Sequence, residues 1–222
     1  MSELNGIISL LIACLELLLI INILIFSKRR KEDIAGIFLI ALLLVYQSFE
    51  FIICNLNFTS SLTVYLAFVA ITLLSPAGIT LVILFYSYKI KYAFLVYIPA
   101  LFWISYYFFT ISNFEVVKCS MLYAAYNYPL GFWYGLTYYA VILLTLIIIV
   151  FNIRKTKRPE SNKQNYILLT AFLSFTLPMI IAYFLYPLIV EVIESVMCKF
   201  AFLFAVLLAY FSLEGRKRNE VT

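Results

Sequence analysis

The stretch LNGIISLLIACLELLLIINILIFSKRRK, residues 4–31, joins a long apolar run to a cluster of basic residues, 28–31. An α-helix rises about 1.5 Å per residue, so about 20 apolar residues cross the hydrocarbon core of a bilayer. The run therefore predicts a transmembrane helix over 4–26. It is not a cleavable signal peptide, because it lacks a basic region before the apolar run and its basic cluster follows it.

The remainder of the chain repeats this apolar pattern. The chain has 222 residues, of which 65% are hydrophobic and 12% are charged, whereas a soluble domain is about 25% charged. We predict an all-α, polytopic membrane protein in which residues 1–222 form a single domain, a seven-transmembrane helix bundle. The predicted helices are 4–26, 34–54, 62–85, 92–111, 131–152, 165–186 and 189–211.

The basic residues predict the orientation. Fourteen of the sixteen Lys and Arg residues follow the first, third, fifth and seventh segments. By the positive-inside rule, the N-terminus is then outside and the C-terminus inside. We expect a multi-pass protein of the cell membrane whose direct partner is the lipid bilayer. The net charge of +5 is accounted for by this distribution and does not indicate a nucleic-acid partner.

The composition also limits the chemistry that the chain can carry. It contains no histidine, which removes histidine metal sites and serine–histidine triads. The sequence has no phosphate-binding loop, no metal-ligand cluster and no nucleophile–base pair. We therefore expect no metal, no cofactor and no enzymatic activity.

Charged residues within the predicted helices are the candidate functional residues. Glu16 and Lys199 have similar predicted depths, and we predict that they form an intramembrane ion pair. Glu50 and Glu194 share a shallower level, where they could share a proton or attract a cation. The pair either fixes helix 1 against helix 7 or forms a polar site open to the outside. A retinal Schiff base on Lys199 is a minor alternative, weakened because Ser195 stands where the microbial pigments have Asp.

Aromatic and cysteine residues give two further candidates. Trp133, Tyr134 and Tyr138 could line a pocket for an apolar or cationic ligand, although helix packing and interface belts explain them as well. Cys54 and Cys119 both lie near the outer face in this topology. They are candidates for a disulfide in an oxidising compartment, while free thiols are the expected default.

Four stretches together resemble a known family. They are YPLGFWYGLTYYAVILL (128–144), LLSPAGITLVILFYSYK (73–89), LTAFLSFTLPMIIAYFLY (169–186) and YQSFEF (46–51). In order, they are similar to the seven-transmembrane N-terminal sensor region of bacterial and archaeal histidine kinases. In that family the helices sense a signal and pass it to a kinase, cyclase or similar domain on the same chain. The resemblance implies a prokaryotic plasma-membrane sensor, here a stand-alone module that relays to a separate cytoplasmic signalling partner.

Two functions follow as hypotheses. The first is a receptor-like module that senses an unidentified signal in the outer half, near Glu50, Glu194 and the aromatics at the start of helix 5. The second is a small secondary transporter that uses Glu16, Lys199 and Glu50 as a charge relay near the midplane. A transporter requires a wet path to both faces, whereas a sensor requires a site open on one face.

Overall fold

The structure, a computed structural model, describes residues 6–88, 91–113, 115–119, 124–127, 129–155, 159–185 and 193–218. These residues form seven α-helices, a short 3-10 turn and one two-stranded antiparallel sheet. The helices are α1 Ile7–Phe26, α2 Lys31–Cys54, α3 Ser61–Phe85, α4 Lys91–Phe109, α5 Gly131–Lys155, α6 Pro159–Leu185 and α7 Ile193–Arg218, and the strands are β1 Glu115–Cys119 and β2 Ala124–Asn127.

The helical prediction is confirmed, and each predicted segment overlaps one helix. Among the described residues, α1, α2, α3 and α5 are long and apolar enough to cross a membrane. The helix α4 contributes a shorter apolar stretch, Phe94–Phe109. The chain is not purely helical, because the loop between α4 and α5 contains the β1–β2 hairpin.

Capping interactions explain where α2 and α3 begin. The Ser60 hydroxyl accepts a hydrogen bond from the Thr63 amide at 3.2 Å, which satisfies a free donor of the first turn of α3. At the start of α2, Asp33 accepts from the Arg30 amide at 3.1 Å and from the Arg30 guanidinium at 2.9 Å. This carboxylate also faces the positive end of the helix dipole. The helix therefore starts at Lys31, earlier than the predicted residue 34.

The helix α3 lies at the centre of the bundle. It packs against α2, α4 and α5, while α7 packs against α6, α1 and α2 and so brings the last helix against the first. Gly78 lets α3 approach one side chain of α6 closely. A Cβ at this position would lie 3.1 Å from the ring of Phe172, which is itself buried against Phe175 and Phe204. Only a residue without a side chain fits here without displacing that ring.

A disulfide fastens the hairpin to the bundle. Cys54, the last residue of α2, is bonded to Cys119, the last residue of β1, across 65 residues of sequence. The expectation of free thiols at these positions is therefore wrong, because β1 brings Cys119 to the end of α2. The end of the bundle that carries Cys54, the hairpin and the start of α1 is called the hairpin end below. The opposite end, where α1 and α5 finish, is called the basic end.

We predict that Gly78→Leu lowers the free energy of unfolding by about 1–3 kcal/mol, the usual cost of overpacking a tightly packed site. The matched control is Gly135→Leu. A Cβ at Gly135 lies 3.8 Å from its nearest neighbour, so this substitution adds no clash. Thermal unfolding of both variants in detergent micelles provides the measurement. Equal melting temperatures for the two variants would contradict the close approach of α3 and α6.

Candidate functional site

The Lys199 ammonium group is the centre of a polar cluster at the hairpin end. It donates hydrogen bonds to Glu50 Oε2 at 2.6 Å, to Ser9 Oγ at 2.7 Å and to Gln47 Oε1 at 2.8 Å. An ammonium group has three N–H donors and no acceptor. All three donors are therefore used, and one of them forms a short ion pair with Glu50. Below, these four residues are called the Lys199 cluster.

Three helices supply the Lys199 cluster. Ser9 lies in the first turn of α1, Gln47 and Glu50 lie on α2, and Lys199 lies on α7. The spacing of three residues between Gln47 and Glu50 places both side chains on one face of α2. Ser9, Gln47 and Glu50 are buried, whereas 14% of the Lys199 side chain remains exposed. The cluster thus joins α7 to both α1 and α2 through one charged group.

The predicted ion pair between Glu16 and Lys199 is wrong, because Lys199 pairs with Glu50 instead. Part of the reason is where α7 begins. It starts at Ile193 and not at residue 189, so Lys199 lies about 6 Å closer to the hairpin end than its predicted depth.

Side-chain direction adds to this difference. Side chains on an α-helix point toward its N-terminus. The Lys199 stem therefore extends toward the hairpin end, where α7 begins. Glu50 lies on α2, which runs in the opposite direction, so its carboxylate extends away from that end. The two groups meet between their helices at a level that Glu16 does not share.

Glu16 occupies an unusual position as a result. It is fully buried, and neither carboxylate oxygen has a hydrogen-bond partner among the described residues. It lies seven residues after Ser9, two turns further along the same face of α1. Lys199 is the described charged group that acts on it electrostatically. A buried carboxyl group without a hydrogen bond is costly, and it calls for a functional explanation.

The other predicted ligand-binding residues do not join the Lys199 cluster in this structure. Tyr134 and Tyr138 are buried on α5, and the Tyr134 ring packs against Phe68 of α3 and Trp103 of α4. The Tyr134 hydroxyl lies 3.1 Å from the Thr72 hydroxyl. These tyrosines therefore serve helix packing.

Trp133 and Glu194 complete the set of predicted ligand-binding residues. Trp133 points away from the bundle, with 57% of its surface exposed. The side chain of Glu194 lies outside the described residues, so its predicted proximity to Glu50 stays a prediction.

A small cavity lies within this aromatic packing. It has a volume of about 10 Å³ and is lined by Thr72, Ser75, Trp103, Tyr134 and Tyr138, among others. About 10–15 Å³ on this measure holds one water molecule. The cavity is therefore too small in this conformation for the ligand that the aromatic residues suggested.

A second set of buried polar side chains lies toward the basic end, on α6, on α7 and at the end of α3. The Tyr86 hydroxyl donates to Asn165 Oδ1 at 3.0 Å. The Asn165 amide nitrogen, both polar atoms of Gln164 and the Ser212 hydroxyl have no hydrogen-bond partner among the described residues. The contact between Lys163 and Glu214 shows how the antiparallel helices α6 and α7 are aligned, with Ser212 near the level of Asn165.

Sequence reasoning missed Ser9 and Gln47 as partners of Lys199. Gln47 carried a usable signal, because it precedes Glu50 by three residues on the same helix face. Ser9 gave no comparable signal, since a single hydroxyl in an apolar helix usually bonds to its own backbone. Among the described residues, no group of three or more Cys, Asp or Glu side chains comes together as a metal site would require.

We predict that Lys199→Met lowers the free energy of unfolding by about 3–5 kcal/mol, because it leaves the buried Glu50 carboxylate unpaired. The double variant Glu50→Leu with Lys199→Met should recover most of this loss. Lys163→Met is the control: Lys163 forms an exposed pair with Glu214, and such pairs contribute little. Denaturant unfolding in micelles is the measurement.

The same measurement identifies the partner of Lys199. A double-mutant cycle between positions 199 and 50 should give a large coupling energy, and a cycle between positions 199 and 16 a smaller one. The reverse order would show that Lys199 pairs with Glu16 in the membrane and would contradict the contact in the structure. If Lys199→Met lowered the free energy of unfolding as little as Lys163→Met, Lys199 would form a buried ion pair with neither Glu50 nor Glu16.

Comparison of the chain with protein-family models, curated proteins and solved structures finds no match.

Proposed function

We propose that this chain is a receptor-like membrane module of seven transmembrane helices in the cell membrane, with its N-terminus outside. It is not an enzyme; it reads a signal at the Lys199 cluster and relays it by moving α7 against α1 and α2. A cytoplasmic partner receives the signal. The observation that carries the proposal is the single ammonium group that connects these three helices.

Two independent features support the orientation. Disulfides form and persist in oxidising compartments, which favours the outside for the end that holds Cys54 and Cys119. The basic residues that follow α1 and α5 lie at the other end, which the positive-inside rule assigns to the cytoplasm. Both features support our proposal that the hairpin end, and with it the Lys199 cluster, lies outside the cell.

The chemistry of the cluster supports a switch. The ion pair between Lys199 and Glu50 favours one position of α7 for as long as no other group competes for the Lys199 ammonium group. A small anionic ligand that binds Lys199 weakens that preference. A signal can shift an equilibrium only through different affinities for the two states, and competition for the ammonium group supplies such a difference. Part of the Lys199 side chain, 14%, is not covered by the protein.

The interior of α7 supports a relay more than a transport path. Between the Lys199 cluster and Ser212, the buried face of α7 carries Ala201, Phe204, Ala205 and Leu208. This apolar stretch separates the two polar layers, whereas a transporter needs polar or wet surroundings along its path. Near the basic end, Gln164, Asn165 and Ser212 carry buried polar atoms without a hydrogen-bond partner among the described residues.

The test measures the position of α7 directly. Spin labels are placed at Lys31→Cys on α2 and Arg216→Cys on α7, with Cys14 and Cys198 replaced by serine and the disulfide kept. We expect that Lys199→Met and Glu50→Gln both shift or broaden the distance distribution between the labels in lipid nanodiscs. The control is Phe200→Met, a lipid-facing change next to Lys199. Identical distributions in all variants would overturn the proposed relay.

Glu16 favours a second candidate, a proton-coupled transporter. A buried carboxyl group without a hydrogen bond is the type of residue that carries protons in such proteins. Proteoliposomes with an internal pH-sensitive dye test this alternative under an imposed pH gradient. Proton uptake that Glu16→Gln abolishes would replace the receptor proposal with the transporter. Uptake equal to that of empty liposomes would eliminate proton-coupled transport.

A further inference from the structure

Two neighbouring apolar grooves follow the basic-end half of α5. One groove of about 380 Å³ lies between α3, α4 and α5 and is lined by Ile79, Ile83, Tyr88, Val96, Leu144, Ile147, Ile148, Phe151 and Asn152. The other, of about 310 Å³, is an open groove along the surface of α5 itself and is lined by Leu146, Ile147, Val150, Phe151 and Arg154. Ile147 and Phe151 belong to both, so these two side chains form a ridge between the grooves.

The grooves belong to a lipid-facing surface. The helix α5 is one of the four long apolar helices, and Ile147 and Phe151 are exposed on it. The described contacts between α4 and α5 are few compared with those that α3 makes to either helix, so the two helices diverge beside the ridge. Exposed apolar surface of this extent needs an apolar occupant, which in a membrane is an acyl chain.

Polar and cationic groups lie where the grooves end. The Tyr88 hydroxyl donates to Asn152 Oδ1 at 3.1 Å in the wall of the first groove. Arg154 lines the end of the second groove, and Lys155 follows it as the last residue of α5. Both cations are exposed, and neither forms an ion pair with a described carboxylate. Their charge is therefore available to a negatively charged head group.

We propose that α5 binds one diacyl phospholipid with an anionic head group. Its two acyl chains lie on either side of the ridge formed by Ile147 and Phe151, and its phosphate contacts Arg154 and Lys155. The charge complementarity selects an anionic lipid over a zwitterionic one, because a cation near the membrane surface contributes about 1 kcal/mol toward an anionic lipid. This site is separate from the Lys199 cluster and does not depend on the proposed receptor function.

Native mass spectrometry of the intact protein tests the head-group preference. The protein is purified after exchange into micelles that contain equal amounts of phosphatidylglycerol and phosphatidylcholine. We expect preferential retention of one phosphatidylglycerol molecule, and a loss of about fivefold in that preference for each cation removed in Arg154→Gln and Lys155→Gln. The control removes Lys28 and Arg29, exposed cations at the same end. Equal losses in both variants would show a general effect of charge and overturn the site.

A second variant tests the ridge. Phe151→Ala removes one of the two side chains that form the ridge between the two acyl chains, so it should reduce retention of phosphatidylglycerol. Phe132→Ala is the matched control, since Phe132 is also a lipid-facing phenylalanine on α5 but lies at the hairpin end, with 73% of its surface exposed. Retention that is the same in both variants would overturn the placement of the chains. Because both residues are exposed, neither change disturbs the buried core.

Discussion

One positive charge, the Lys199 ammonium group, must be accommodated within an apolar helix bundle, and the arrangement of the neighbouring helices depends on it. An isolated ammonium group in hydrocarbon is costly, and so it must find a charge and hydrogen-bond acceptors within reach. Lys199 finds Glu50, Gln47 and Ser9, which belong to two other helices. The requirement of a single side chain therefore fixes the arrangement of α1, α2 and α7 at the hairpin end. Apolar packing alone would allow these helices several rotations and offsets with similar free energy.

Much of the fold could be predicted from the sequence, because the length and spacing of apolar runs leave few alternatives. Most helix ends were predicted within four residues, whereas α6 begins six residues before its predicted start and α7 ends seven residues after its predicted end. Some of these errors have identifiable causes. The hydrogen bonds between Arg30 and Asp33 extend α2 toward its N-terminus. A hydropathy pattern does not detect a capped helix start of this kind. The hairpin was missed because its short strands, such as Ala124–Asn127, lack the alternation that marks a half-buried strand.

The site was harder to predict than the fold. It depends on the directions in which the charged side chains extend, and the depths of their backbone atoms in the membrane do not give these directions. Glu16 was chosen as the partner of Lys199 by comparing the positions of backbone atoms along two helices. The side chains of lysine and glutamate are long enough to move their charges by about a turn of helix, toward the N-terminus of each helix. Because α2 runs opposite to α7, this displacement brings Glu50 and Lys199 together. A rule that compares charge positions after this displacement would have favoured Glu50.

The Glu16 carboxyl group makes the arrangement of buried charged residues in the bundle asymmetric. The hairpin-end half of the bundle holds two buried carboxyl groups, Glu16 and Glu50, and the described part of the chain offers them one ammonium group, Lys199. That ammonium group can form its short contact with only one carboxylate at a time. Glu50 has the contact here, while Glu16 lies on α1 without a hydrogen bond. Any condition that weakens the contact with Glu50 thus leaves α7 with a second acceptor on a different helix.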